Sequence, residues 1–248
     1  MSDIPVGAQV PPSRAKLTEV PNKPLKTIKV TDSAFEKVLP FSTDLELRDR
    51  YINFFGGLRL GILLEDLDLI AGEVAYKHTE GRERGMTIVT AACDRIDLLG
   101  ELRSNRDLQL LSSINWVGRS SLEVGVRISS KEGKSWVRVA RAYFIMVARR
   151  EGKAEPVNLL EPDRKNEQRR FKQGEQRQQE RRVIVQTSYL HNTPTAEESH
   201  VLHDLFLRIK NSEIEGVPMQ ESIRQSTLLM HPQSRNCLLY TSDAADER

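Results

Sequence analysis

Residues 58–78, LRLGILLEDLDLIAGEVAYKH, set Glu65, Asp66, Asp68 and Glu73 into a run otherwise apolar enough to be buried. A carboxylate does not enter an apolar core without a partner or a task. One left without a partner is a candidate for a functional task, so placement decides which of the four is available for chemistry. On a helix turning about 100° per residue, Arg59, Asp66 and Glu73 fall in one stripe, and Glu73 has Lys77 at i+4. That stripe is the expected solvent edge. Glu65 and Asp68 project about 130° away, with Gly61 and Gly72 inside the same arc of about 60°. Glycine inside a helix costs about 1 kcal/mol relative to alanine. Two on the Asp68 face therefore predict close approach by another backbone or by a ligand. Two readings of Glu65 and Asp68 stand side by side: pairing with arginines of a neighbouring strand or subunit, or work on a ligand.

The elements that must position these groups follow from patterning. SAFEKVLPF (33–41) predicts a short strand, Asp44 opens a helical turn over DLELRDRY, and the central helix follows the pair Gly56 and Gly57. GMTIVTAACDRIDLL is rich in β-branched residues, and LQLLSSINWV puts Leu108, Leu110, Ile114 and Trp116 on one face. SLEVGVRIS alternates with period two, and GKS at 133–135 turns it into WVRVARAYFIMVA, ending at Arg149 and Arg150. A strand, a largely apolar helix and a run of antiparallel strands make an α+β pattern. The helix needs wrapping, which predicts a hotdog fold, an antiparallel sheet round a central helix, over residues 31–150.

Composition bounds the partners. Thirty-seven basic against 35 acidic residues leave a net charge of +2, which favours neither nucleic acid nor a membrane surface. Cys93 and Cys237 give no disulfide framework and no zinc spacing, and no cofactor or metal is expected. No run reaches the roughly 18 apolar residues of a membrane helix. Residues 1–30 read as a disordered leader, with five prolines among the first 24 residues. Residues 151–212 read as a charged helical linker. Its stretch 164–182 holds eight basic and three acidic residues, with Phe171 its sole aromatic, too little stacking surface for a single-strand binder. TPTAEESHVLHDLFLRIK predicts an amphipathic helix capped at Thr193 or Thr195, with Leu202, Leu205, Phe206 and Ile209 on its apolar face. His200 and His203 lack a third ligand and read as surface histidines.

LLEDLDLIAGEVAYKH resembles the helix of the double-hotdog acyl-coenzyme A thioesterases. The resemblance extends through ELRDRY, TIVTAACDRIDLL, INWVGRSSLEV, FIMVARR, PVNLLEP, the GEQRQQERR linker and LLMHPQSRN, over roughly residues 30–236. Matching Ala71–Gly72 and Lys77–His78 to the family's motif puts Asp68 at its acid position. The resemblance implies hydrolysis of fatty acyl-CoA to free fatty acid and CoA. Asp68 would be general base or nucleophile, Glu65 would orient it, and amides around Leu60 and Gly61 would hold the oxyanion. It also implies a mitochondrial location, with the cytosol as alternative, and a partner in a second hotdog repeat or another copy of the chain. A non-enzymatic acyl-CoA-binding or dimerising hotdog module is the alternative function.

Two departures from the family pattern matter. The motif's Asn position falls near Gly57, and Asn53, three to four residues out of register, reads as a decoy. Residues 213–236 read as the start of a truncated second hotdog, and CLLYTSDAADER (237–248) as a read-through tail.

Overall fold

The structure is a computed structural model that describes residues 24–190, 192–211, 213–214, 217 and 219–227. The expected leader up to residue 23, the end of the second-repeat stub from residue 228 and the tail at 237–248 lie outside the described residues. The chain divides into two compact units, Met1–Lys172 and Gln173–Arg248.

The first unit runs β1 (Thr27–Lys29), α1 (Val30–Ser33), β2 (Phe35–Leu39), α2 (Leu45–Arg50), α3 (Leu60–Thr79), β3 (Thr87–Leu98), β4 (Leu108–Val117), β5 (Ser121–Glu132), β6 (Ser135–Arg150), β7 (Lys153–Ala154) and β8 (Leu159–Glu161). Helix α4 (Lys165–Thr187) starts in this unit and ends in the next. The main sheet has the order β2-β4-β5-β6-β3, with β7 added to β6, and every pairing in it is antiparallel. This is the hotdog arrangement that the patterning predicts.

One face of the sheet carries the core. Leu122, Val124, Val126 and Ile128 of β5 and Leu108, Leu110 and Ile114 of β4 are buried at period two. They pack with Leu63, Leu67, Ile70, Ala71, Val74 and Ala75, the helical stripe of α3. A residue as enclosed as Leu67, 1% exposed, typically costs about 2–5 kcal/mol when cut to alanine. The β5–β6 hairpin closes through Gly133 at φ +59°, a left-handed position that glycine takes without a side-chain clash.

Three expectations change. Residues 27–29, assigned to the leader, form β1, which pairs in parallel with β8 in a separate two-stranded ladder. The compact unit therefore extends past Arg150 to Lys172. The sheet also does not wrap all of α3: Leu60, Leu64 and Leu69 are exposed, Leu69 to 67%. Trp116 is buried but belongs to the far side of a bulge between Ile114 and Trp116, so it leaves the alternation of Leu108, Leu110 and Ile114.

The second unit holds the end of α4, then α5 (Ala196–Lys210) and α6 (Met219–Ser222). Thr195 caps α5 in a capping box with Glu198, deciding between the two expected threonines. Leu202, Leu205, Phe206 and Ile209 are all exposed.

Candidate active site

Asp68 lies in the middle of α3, half-buried at the border between its core stripe and its uncovered face. Its Oδ1 accepts a hydrogen bond of 2.7 Å from the Thr90 hydroxyl of β3. No arginine or lysine among the described residues pairs with it. Within the chain, the pairing of Asp68 with an arginine of a neighbouring strand is therefore not made. Thr90 was not a candidate on sequence grounds, because its position 22 residues away carries no motif of its own. Its place is set by the sheet: the β3–β6 ladder shifts register between Thr90 and Ala92 and again between Cys93 and Arg95. Bulges of this kind re-aim side chains and are common beside working sites. Cys93 lies near enough for its thiol to be pushed up, chiefly by burial and next by the charge of Asp68.

Glu65 is exposed and makes no hydrogen bond or ion pair among the described residues. A Cβ on Gly61 would meet no atom within 4 Å, and one on Gly72 would meet Met146 Cε at 3.9 Å. Nothing in the first unit approaches Gly61, so its open face is available to something outside this fold. Arg59 supplies no side-chain cap to α3, which leaves the first-turn amides of Leu60 and Gly61 as free donors. They sit at the positive end of the helix dipole.

The expected solvent stripe is only partly solvent. Asp66 accepts from Lys37 Nζ at 2.8 Å and from the Tyr51 hydroxyl in a short hydrogen bond. Burial, then this bond to Asp66, hold the Tyr51 phenol well above its usual range. Asp66 thus ties α3 to β2 and to the end of α2. Glu73 pairs with Arg82 rather than Lys77, at 2.6 and 3.2 Å, and the Arg82 hydrogen bonds hold its carboxyl below the usual range.

Asn53, set aside on sequence grounds, has a defined role in the loop that feeds α3. Its Oδ1 accepts from the amides of Phe55 at 2.9 Å and Gly57 at 3.0 Å. Gly56, at φ +77°, completes that tight turn. Both acceptor bonds use the oxygen, so the Nδ2 donor is left over. Phe54 and Phe55 stack edge to face beside it, 96% and 90% exposed. Among the described residues no group of three potential ligands is arranged to hold a metal ion. No helix among them is long and apolar enough to cross a membrane.

With this geometry, residues 55–137 match the family described as Thioesterase superfamily. The first unit has the hotdog fold, and the match to that superfamily lies within it. The chain is 34% identical over 232 residues to mouse acyl-coenzyme A thioesterase 9, mitochondrial, covering 86% of this chain and 53% of that protein. It thus spans about half the length of this relative. Among solved structures it is similar to the acyl-CoA hydrolase of Staphylococcus aureus, crystallised with butyryl coenzyme A and coenzyme A. That match has 25% identity and a TM-score of 0.56, over 67% of this chain and 99% of the hydrolase. An apo-hexameric acyl-CoA thioesterase gives 25% identity and a TM-score of 0.55, over 66% and 100% of the respective chains.

Proposed function

We propose that this hotdog domain hydrolyses acyl-CoA thioesters, releasing a free carboxylic acid and CoA, with Asp68 as the catalytic base. The observation that carries this is a mid-helix carboxylate with no basic partner among the described residues, held by one hydroxyl on a helix whose Gly61 faces open space. Asp68 takes a proton from water, and the resulting hydroxide attacks the thioester carbon. Negative charge gathers on the former carbonyl oxygen, where the free amides of Leu60 and Gly61 supply donors. The C–S bond then breaks, and the departing thiolate is protonated to the free thiol. Thr90 fixes the rotamer of Asp68, and the spare Nδ2 of Asn53 is a further donor for a thioester carbonyl. Glu65 stands one helical turn before Asp68 and acts on it through charge rather than contact.

The uncovered face of α3 and the edge strand β3 call for a partner: a second hotdog repeat or another copy of this chain. The relatives' names favour an acyl-CoA substrate, and a mitochondrial location follows the mouse relative.

Thiol release from a series of acyl-CoA esters, followed colorimetrically, tests the reading. Asp68→Asn is nearly isosteric and keeps an acceptor for Thr90, so it is expected to fold normally and to lose activity at least a hundredfold. A chain that binds acyl-CoA but releases no thiol is the non-enzymatic binding module. A fully active Asp68→Asn variant removes Asp68 from the mechanism.

A further inference from the structure

A cavity of about 350 Å³ opens on the side of the main sheet opposite α3, where α1, β2 and the start of α4 meet β4 and β5. Three arginines line it: Arg127 from β5, and Arg164 and Arg170 at the start of α4. Arg127 alternates with Val126 and Ile128, which face the core, so it stands on the outer face. The cavity is therefore separated from Asp68 by the sheet itself.

Three arginines here face two carboxylates, Glu36 and Glu167. Arg164 has a loose contact with Glu167 at 3.9 Å. Arg127 and Arg170 have no ion pair or hydrogen bond among the described residues, and Arg170 Nε is buried without a partner. Of the two carboxylates on the wall, only Glu167 acts on these arginines, through its loose contact with Arg164 and its charge on Arg170. Glu36 accepts from Gln109 Nε2 at 2.7 Å, and Glu167 accepts from the amides of Asp163 and Arg164, both at 3.1 Å. The charge of Arg127 also acts on Arg170. Both are held below the usual arginine range, first by burial, then by Arg138 for Arg127 and by Arg127 for Arg170, where Glu167 offsets part of the effect. Two partly desolvated like charges facing one cavity are unfavourable unless an anion joins them. Guanidinium groups match phosphate oxygens in a bidentate fork. Thr31, Ser113 and Asn166 add neutral polar groups to the wall, and Phe35 adds an apolar one.

We propose that this cavity is a binding site for a phosphate-bearing small molecule, held by Arg127, Arg164 and Arg170 and distinct from the thioesterase site. The phosphate comes either from a free nucleotide or from the CoA moiety itself. Both present the same chemistry to the arginines.

The test uses the full chain and the double variant Arg127→Gln/Arg170→Gln, titrated calorimetrically and by thermal shift with pyrophosphate, ADP and CoA. Pyrophosphate should raise the melting temperature of the parent chain, and its affinity for the double variant should fall at least tenfold. Without any anion, the variant should melt at or above the parent, since two like charges no longer face each other. ADP and CoA separate the sources. Loss of ADP binding alone assigns the site to nucleotides, and loss of one CoA equivalent assigns it to CoA phosphates. Two results overturn the proposal. One is no binding of any probe to the parent. The other is unchanged pyrophosphate affinity in a variant that melts lower, which makes the arginines packing residues whose stems cover the sheet.

Discussion

Asp68 and Thr90 lie 22 residues apart, on a helix and a strand that only the folded sheet brings within 2.7 Å. The place of Asp68 on α3 was legible because its spacing from two glycines is local. Its hydroxyl partner was not, since a threonine in a β-branched run has no signal beyond its strand preference. The same limit explains Asp66: spacing put it on the solvent edge, but Tyr51 and Lys37 reach it from 15 and 29 residues away. Asn53 was judged by register against a motif, whereas its loop is organised by two local amide bonds to its oxygen. The Thr90 bond yields a specific expectation. A hydrogen bond to a charged group contributes about 1.5–3 kcal/mol. If it mainly holds Asp68 in its reactive rotamer, Thr90→Val should lower kcat roughly tenfold, at about 1.4 kcal/mol per decade, and leave KM within about twofold. Steady-state thiol release measures both constants. An unchanged kcat with a lower melting temperature would make Thr90 a packing residue only.

Helix α3 shows how an element can be right in outline and incomplete at its ends. Its apolar stripe was readable at helical spacing, but its C-terminal anchor depends on residues about 80 positions away. Asn158 Nδ2 donates to the His78 carbonyl at 2.8 Å, satisfying an end-of-helix acceptor, and His78 Nε2 meets the Asn158 carbonyl at 3.1 Å. Parallel pairing of β1 with β8 was equally hidden, because three-residue strands are too short to show a period. The His78 contact makes the fold pH-sensitive. Neutral His78 donates from Nε2, while its buried Nδ1 has no partner, so protonation would place a proton where nothing accepts it. Burial accordingly pushes the imidazole below its ordinary value of 6.5. The unfolded chain then binds the proton more readily than the folded one. This contribution to stability is complete above 6.5 and is lost as the pH falls from there towards the folded-state value. His78→Gln keeps a side-chain amide donor and does not titrate. Its melting temperature should therefore be flatter than the parent's across about pH 5 to 7, which thermal melts in matched buffers would show. Parallel curves for the two proteins would remove His78 as the cause.

For the molecule as a whole, the deciding feature is what the first unit leaves uncovered. Leu60, Leu64 and Leu69 on α3 and Ile96 and Leu98 on β3 are all exposed, and β3 pairs with β6 on one side only. An unpaired strand edge beside an apolar helix face is a template for association. The same face holds Asp68 and Gly61, so a partner that covers it would also cover the proposed active site. Leu69 is the sharpest probe because it is 67% exposed and makes little contribution to the core. Leu69→Asp should leave the stability of the isolated unit within about 0.5 kcal/mol, yet oppose any assembly that buries this position. Sedimentation velocity should show the parent chain associating and the variant shifted towards monomer. Specific activity of the parent should fall on dilution through the same concentration range, and the variant should start low and change little. Dilution-independent activity in a chain that sediments as a monomer would mean that one hotdog unit holds every group hydrolysis needs, and Asn53 and the α3 amides would then have to serve the Asp68 of their own chain.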